Sequence, residues 1–461
     1  MRKIYRLIRA ALRGDEYDYT SGSIKKAIFM LSIPMVLEMA MESLFALVDA
    51  FFVAKVSPDA VATVGLTESV ITLVYAVAIG ISTAPVAMIA RYIGEKNQAG
   101  ASRVAKQAMY MAIGVSITLG IPGVIFADDI LRLMGGSEEL IASGVNYTRL
   151  LFGSNVVIML LFLLNGIFRG AGDAAYAMRA LWLANGINII LDPIFIHGLG
   201  PIPAMGVTGA AVATTIGRGI GVSYQLYVLF GGRGTIKLRA GGWKLDWDIL
   251  RRLGRIASSG AMQYIIASAS WIFLMRIIAT FGSEAVAGYT IAIRLIIFTL
   301  LPAWGLSNAT ATLVGQNLGA KEPDRAIRSV NIAAVMAGIF LGIISVFYLI
   351  FTPEFIRFFD DTPAVVEAGV TALRIFAIGY VLYGFGMIYS QAFNGAGDTR
   401  TPMIINVISF WITELPLGYF LGITMGLGVA GVTWSIIAGE TMLTLLAYIL
   451  FRKGRWLKTE V

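Results

Sequence analysis

A chain of 461 residues that is 57% hydrophobic, only 14% charged and carries 51 glycines lies outside soluble-domain composition, in which about a quarter of residues are charged. The lack of cysteine and the single histidine, His197, exclude disulfides, thiolate metal centres, cysteine nucleophiles and histidine metal clusters. The net charge of +8 sorts with membrane sidedness, described next, and so reports orientation and lipid contact rather than nucleic-acid binding.

In chain order, residues 1–26 form a basic amphipathic N-terminus, in which Arg2, Lys3, Arg6, Arg9 and Arg13 alternate with Ile4, Leu7, Ile8 and Leu12. This pattern suits a helix lying in the membrane interface and lacks the continuous apolar core of a signal peptide. Apolar runs of about 20 or more residues then predict twelve spans, near 27–54, 62–90, 104–127, 140–167, 174–197, 206–230, 255–281, 286–314, 327–352, 364–393, 401–423 and 427–451. Arg91, Lys96, Arg103, Lys106, Arg169, Arg179, Lys321, Arg325, Arg328 and Arg400 fall on the side of the two termini, whereas Asp128, Asp129, Glu138, Glu139, Asp360 and Asp361 crowd the opposite connections. The positive-inside rule makes both termini cytoplasmic, in a multi-pass protein of the cell (inner) membrane.

Residues 231–254 are the longest polar stretch and divide the chain into an N-lobe, 27–230, and a C-lobe, 255–451, followed by a tail, 452–461. An internal repeat supports this division. Ala60-Val61-Ala62 recurs as Ala285-Val286-Ala287, Gly94 as Gly319, Lys96 as Lys321 and Gly170-Ala171-Gly172-Asp173 as Gly395-Ala396-Gly397-Asp398, each 225 residues on. Six spans per copy return the chain to its starting side, so the copies enter in the same orientation and are related by an axis along the membrane normal. The expected fold is therefore all-α and polytopic: twelve transmembrane helices in two six-helix lobes, V-shaped around a central cavity that alternating access opens to either side. In the Gly-Ala-Gly-Asp turns, Asp173 and Asp398 read as N-caps of the helices that follow.

Three acids stand out in span 1. Glu38, Glu42 and Asp49 are separated by one and then two helical turns, so they share one stripe. A charge at membrane depth costs at least a few kcal/mol, so the stripe must face protein or water. In span 5, Asn188 and Asp192 share a face, and Pro193 cannot donate to the Ile189 carbonyl, which predicts local unwinding beside an acid.

Leu47-Val48-Asp49-Ala50-Phe51-Phe52-Val53, Val64-Gly65-Leu66, the run Asn165 to Asp173, and Asn188-Ile189-Ile190-Leu191-Asp192-Pro193-Ile194-Phe195, taken in order, resemble the multidrug and toxic compound extrusion family over essentially the whole chain. The resemblance implies secondary active export of amphipathic, mainly cationic compounds in exchange for H⁺ or Na⁺. It also implies an ion-coupling cluster of Asp49, Asn165, Asn188, Asp192 and Thr214, with Tyr147 nearby and Pro34 at a helix bend. Two carboxylates brought together in a low dielectric hold a proton or Na⁺ rather than stand empty, so Asp49 with Asp192 is the candidate site for either ion.

Glu38 and Glu42 exceed the simple family pattern. The expectation is that both line the substrate cavity with Met39, Gln263 and Trp271; the alternatives are a proton relay and structural pairing to an intramembrane arginine such as Arg218. Glu414, before Pro416, and Glu440 are acids that could couple ions in the second lobe. Pro34 and Pro193 are the expected hinges. A lipid-linked oligosaccharide flippase would require a cationic cavity and is the alternative function. No cofactor beyond the coupling ion is expected, no enzymatic motif is found, and the partners are small amphipathic cations and membrane lipids, with no nucleic acid and a monomeric chain.

Overall fold

A computed structural model describes the backbone of residues 2–54, 58–238 and 243–461, and side chains except at 1–4, 46–47, 49–51, 54–62 and 239–242. After α1 (Arg2–Arg13) the N-lobe comprises α2 (Ile24–Ala54), α3 (Pro58–Gly94), α4 (Gln98–Ile125), α5 (Ala127–Leu133), α6 (Glu138–Gly153), α7 (Asn155–Ala171), α8 (Ala174–His197) and α9 (Val207–Phe230). The C-lobe comprises α10 (Trp247–Ala279), α11 (Ser283–Gly319), α12 (Pro323–Arg357), α13 (Pro363–Ala396), α14 (Arg400–Asn406), α15 (Leu415–Tyr419) and α16 (Gly428–Arg452).

Among the described residues, ten helices are long and apolar enough to cross a bilayer, and α6 with α7 makes an eleventh crossing bent by 42°. The remaining segment, α9, carries Arg218 and is seated by small residues: Gly217 and Gly221 bring it against the Ala184 and Ala180 carbonyls of α8, the close backbone approach typical of membrane helix pairs. The chain is a multi-pass membrane protein. Two of the crossings depart from the simple helices expected. Span 4 is the bent α6–α7 pair, and span 11 passes from α14 through π-helical Val407–Glu414 into α15 and then π-helical Phe420–Thr424.

The repeat is visible in the contacts between the lobes. Gly94 at the end of α3 lies on the Gln316 carbonyl of α11, and its mate Gly319 lies on the Arg91 carbonyl of α3. Higher up, Gly80 meets Ala261 of α10 while its mate Gly305 meets Val36 of α2. Exchanging contacts between positions 225 apart is the signature of a pseudo-twofold axis running between the lobes. Only a residue without Cβ permits these approaches.

At the end of the molecule that carries both termini, terminal segments cross this seam. The Tyr19 hydroxyl donates to the Gly172 carbonyl of the N-lobe at 3.3 Å, while Arg325 of α12 donates to the Tyr19, Ser21 and Gly22 carbonyls at 3.3, 2.7 and 2.8 Å. The C-terminal tail bridges in the same way, its Thr459 carbonyl accepting from Arg91 at 2.8 Å and its Val461 carbonyl from Arg252 of α10 at 3.1 Å.

The two Gly-Ala-Gly-Asp turns share a left-handed glycine, Gly172 at φ 86° and Gly397 at φ 90°, but their aspartates differ. Asp398 caps as expected, accepting from the Thr401 N–H at 3.2 Å. Asp173 makes no side-chain cap; it accepts instead from the N–H and hydroxyl of Thr235, at 2.7 and 2.9 Å, and so pins the interlobe linker beneath the N-lobe. The linker folds back and outcompetes the helix end for this carboxylate. Burial pushes the Asp173 carboxyl up to about 6, against the opposing pull of the Thr235 donors, and Glu16 adds to the rise.

Gly319→Val should wedge the seam open at the terminus-bearing end. Spin labels at cysteines introduced into this cysteine-free chain, one on α3 and one on α11, should report a longer interlobe distance, and an unchanged distance would show that the glycine contact does not set the spacing. For Asp173, the folded carboxyl keeps its proton up to about pH 6 whereas an unfolded one releases it near about 3.9. The protonated group therefore stabilises the fold fully below about pH 4, and this contribution is lost as pH rises through about 6. Thermal stability of the wild type should fall over that window relative to Asp173→Asn, and parallel curves would contradict the assignment.

Candidate functional site

The acid stripe of α2 is organised by arginines. Glu38 was expected on the cavity surface, but its side chain is fully buried, 0% exposed. Its Oε1 accepts from Asn165 Nδ2 at 3.0 Å and pairs with Arg169 Nη2 at 2.5 Å. Asn165 Oδ1 in turn accepts from Gln225 Nε2 at 2.6 Å. A carboxylate held this deeply requires a matched cation, and α7 supplies both Asn165 and Arg169 one turn apart. Glu38 is thus held by Arg169 and Asn165 instead of facing the cavity, and Asn165 links it to Gln225 of α9. Arg169, counted from the sequence as a loop charge, lies within the span.

One turn on, Glu42 lines a cavity between the lobes of about 360 Å³. Its Oε2 accepts from Asn185 Nδ2 at 3.0 Å and its Oε1 lies 3.6 Å from Arg218 Nη2. The Arg218 guanidinium sits over the rings of Phe45 and Tyr75, with centroid distances of 5.6 and 5.3 Å, so cation–π contact adds to the ion pair. Met39 and Glu68 also face this cavity, and Arg169 reaches its wall. Glu42 thus meets both the cavity expectation and the alternative of pairing with Arg218.

Deeper in the N-lobe, Asn188, Asp192 and Thr214 come together as expected. The Asn188 amide is oriented by its neighbours, nitrogen toward Asp192 Oδ2 at 2.9 Å and oxygen accepting from the Thr214 hydroxyl at 3.1 Å and N–H at 2.9 Å. Asn188 and Asp192 are 1% and 0% exposed. The Asp49 side chain lies outside the described residues. Tyr147 is buried in the same lobe's apolar core. The unwinding expected at Pro193 is absent, since α8 runs helically from Ala174 to His197, and α2 likewise continues through Pro34.

Gln263 and Trp271 line a second chamber of about 360 Å³ in the C-lobe, not the one holding Met39 and Glu42. The two chambers meet at Tyr264 and Trp304, which lie on both walls and stack in parallel with centroids 6.5 Å apart. Glu440 opens onto this second chamber, and Glu414 is buried at 2% exposure.

Asn185, Gln225 and Glu68 join the site without having been marked by the motifs of the sequence. Asn185 and Asn188 are three residues apart on one helix, a spacing that already placed two amides on one face; Gln225 and Glu68 carry no such local signal. Removing the Arg169 side chain should leave Glu38 as an uncompensated buried charge, a destabilisation of about 3–5 kcal/mol. Thermal unfolding of Arg169→Ala should fall well below wild type and be substantially recovered by adding Glu38→Gln; a stable single variant would mean that Glu38 does not need its arginine.

The MatE family model matches residues 34–194 and 260–420, one copy in each lobe. The chain is 28% identical over 441 residues to the probable multidrug resistance protein NorM of Thermotoga maritima, covering 95% of this chain and 94% of that one. It is 22% identical over 439 residues to the multidrug export protein MepA of Staphylococcus aureus, with 94% and 95% covered, and 25% identical over 407 residues to an FAD transporter of Shewanella oneidensis, with 87% and 89% covered. Among solved structures, an outward-facing multidrug resistance MATE transporter of the MOP superfamily superposes with a TM-score of 0.88 at 28% identity, covering 96% of this chain and 98% of that one. A MOP superfamily transporter from Pyrococcus furiosus, described for the reverse polarity of its binding pocket, also gives 0.88 at 28% identity, covering 98% of each chain. With two matching repeats, the shared fold and an interlobe cavity, the chain belongs to the MATE family of membrane transporters.

Proposed function

We propose that this protein is a secondary active efflux antiporter that exports amphipathic, mainly cationic compounds in exchange for H⁺ or Na⁺. On this reading it resides in the cell (inner) membrane with both termini cytoplasmic, at the end where the terminal segments cross the seam. The observation that carries the reading is the interlobe cavity, where apolar and aromatic walls surround the carboxylates of Glu42 and Glu68. Aromatic faces and carboxylates are the groups that hold a greasy cation. The alternative, flipping an anionic lipid-linked sugar, needs unmatched positive charge, and Arg169 and Arg218 are each already opposed by a glutamate.

Coupling is assigned to α8. Asn185, Asn188 and Asp192 fall on one face of this helix: Asn185 holds Glu42 at the cavity, and Asp192 belongs to the buried cluster with Thr214. A proton or Na⁺ entering at Asp192 and Asp49 would alter the packing of α8 on α2, and the same two helices carry the cavity residues. A ligand shifts such an equilibrium only through its differential affinity for the two states, so cation and substrate compete by stabilising opposite ones.

Counterflow of a fluorescent organic cation in proteoliposomes, driven separately by proton and sodium gradients, tests this. Asp192→Asn should abolish gradient-driven transport while substrate binding persists, and Glu42→Gln should weaken substrate binding by about tenfold or less. Undiminished gradient-driven transport by Asp192→Asn would overturn the coupling assignment.

A further inference from the structure

The interlobe linker is fastened to α4 just before it enters α10. Gln107 of α4 donates through Nε2 to the Lys244 carbonyl at 2.7 Å and accepts through Oε1 from the Asp246 N–H at 3.1 Å, and the Tyr110 hydroxyl donates to the Trp243 carbonyl at 3.0 Å. The Trp243 ring meets Tyr110 edge-on at 5.8 Å and stacks on Phe230, the last residue of α9, at 6.0 Å. An otherwise polar linker thus sets an aromatic ring against two membrane helices, the position such rings take where bilayer meets water.

Beside this attachment lies a cavity of about 430 Å³ whose wall carries Arg103 and Lys106 of α4 and Lys244 of the linker. Lys106 is 8% exposed, with its ammonium 5.2 Å from the centre of the Trp243 ring. Arg103 and Lys244 are exposed, and among the described residues neither forms an ion pair. The wall also carries Asp246 and Asp248. The Asp246 carboxylate is committed to α10, accepting from the N–H groups of Asp248 and Ile249 at 3.1 and 3.2 Å, so the three cations face a single uncommitted carboxylate, that of Asp248. From this cavity α4 continues into an apolar track: Ile113, Ile117, Ile121 and Ile125 recur every four residues and are all exposed, a stripe open to lipid. Ile113 lies seven residues beyond Lys106, two turns on and on the same face. From Lys106 to Ile117 the helix rises about 16 Å, close to half of a hydrocarbon core of about 30 Å.

We propose that this corner of α4 and the linker binds one anionic phospholipid of the leaflet on the terminus-bearing side, its headgroup phosphate held by Arg103, Lys106 and Lys244 and its acyl chains lying along Ile113 and Ile117. Guanidinium and ammonium donors suit a phosphate, and a basic pocket between helices at the membrane surface is the form such a lipid site takes. A soluble phosphate ester would leave the isoleucine track uncovered, together with Leu245 and Trp247, which are exposed on the cavity wall; the lipid covers both. Two of the cations belong to the N-lobe and the third to the segment that enters α10, so the bound lipid ties the start of the C-lobe to α4. The site stands independently of the substrate and of the coupling ion.

Purified protein in neutral detergent is titrated with phosphatidylglycerol, and separately with phosphatidylcholine carrying the same chains, and bound lipids are counted by native mass spectrometry. The wild type should bind one phosphatidylglycerol molecule in preference to phosphatidylcholine. Arg103→Gln/Lys244→Gln should weaken that first binding step about tenfold or more, whereas Arg6→Gln/Arg9→Gln, which removes the same charge from α1, should leave it unchanged. Equal affinity of the wild type for the two lipids, undiminished binding by Arg103→Gln/Lys244→Gln, or an equal loss in the α1 variant overturns the proposal, the last because attraction by net charge alone would then account for binding. Glycerol 3-phosphate, a headgroup without chains, should not displace the bound lipid at about tenfold excess; displacement would assign the pocket to a soluble phosphate ester and overturn the lipid. Arg103 and Lys244 are both exposed, and should the double variant not fold, Lys244→Gln should weaken binding and Lys244→Arg retain it, with equal affinities counting against the site.

Discussion

The cost of carrying charge into a low-dielectric membrane interior governs the arrangement of the N-lobe. Glu38 is completely enclosed, so its pairing with Arg169 and its hydrogen bond from Asn165 fix the register of α2 against α7. One turn away the same rule is met more loosely, with Glu42 and Arg218 3.6 Å apart at the cavity wall. Together the pairs set α2 among α7, α8 and α9 at the depth of the interlobe cavity. An exposed ion pair would contribute little, whereas breaking a buried one leaves a charge with no solvent to screen it.

Around this constraint the two repeats enclose the cavity by contacts that nearly interchange. Gly94 and Gly319 each lie on a carbonyl of the other lobe, as Gly80 and Gly305 lie on α10 and α2. Such backbone-to-backbone seams rest on small residues that let helices approach closely. The terminal straps reinforce only one end, through Tyr19 and Arg325 on one side and Arg91 and Thr459 on the other.

Symmetry ends where chemistry begins. Asp398 caps its helix while Asp173 holds the linker, and the first lobe pairs Glu38 and Glu42 with arginines while Glu414 and Glu440 of the second form no ion pair among the described residues. Two copies of one scaffold thus offer one chamber whose Glu42 has an arginine beside it and one whose Glu440 forms no ion pair among the described residues, joined at the stacked Tyr264 and Trp304 rings.

By itself the sequence determined the membrane class, the crossings, the duplicated architecture and the association of Asn188 with Asp192, because apolar run length, a constant offset and helical spacing are local properties of the chain. It also marked the acids of α2 as needing an explanation. Which acid faces what was decided only by tertiary structure. Glu38 and Glu42 are equivalent in spacing and composition, yet one is sealed against Arg169 and the other opens onto the cavity beside Arg218. Asn165 is drawn to Glu38 for the same reason. The pairing depends on residues more than a hundred positions apart, and the free energy that selects it is desolvation, which exists only once the helices have packed.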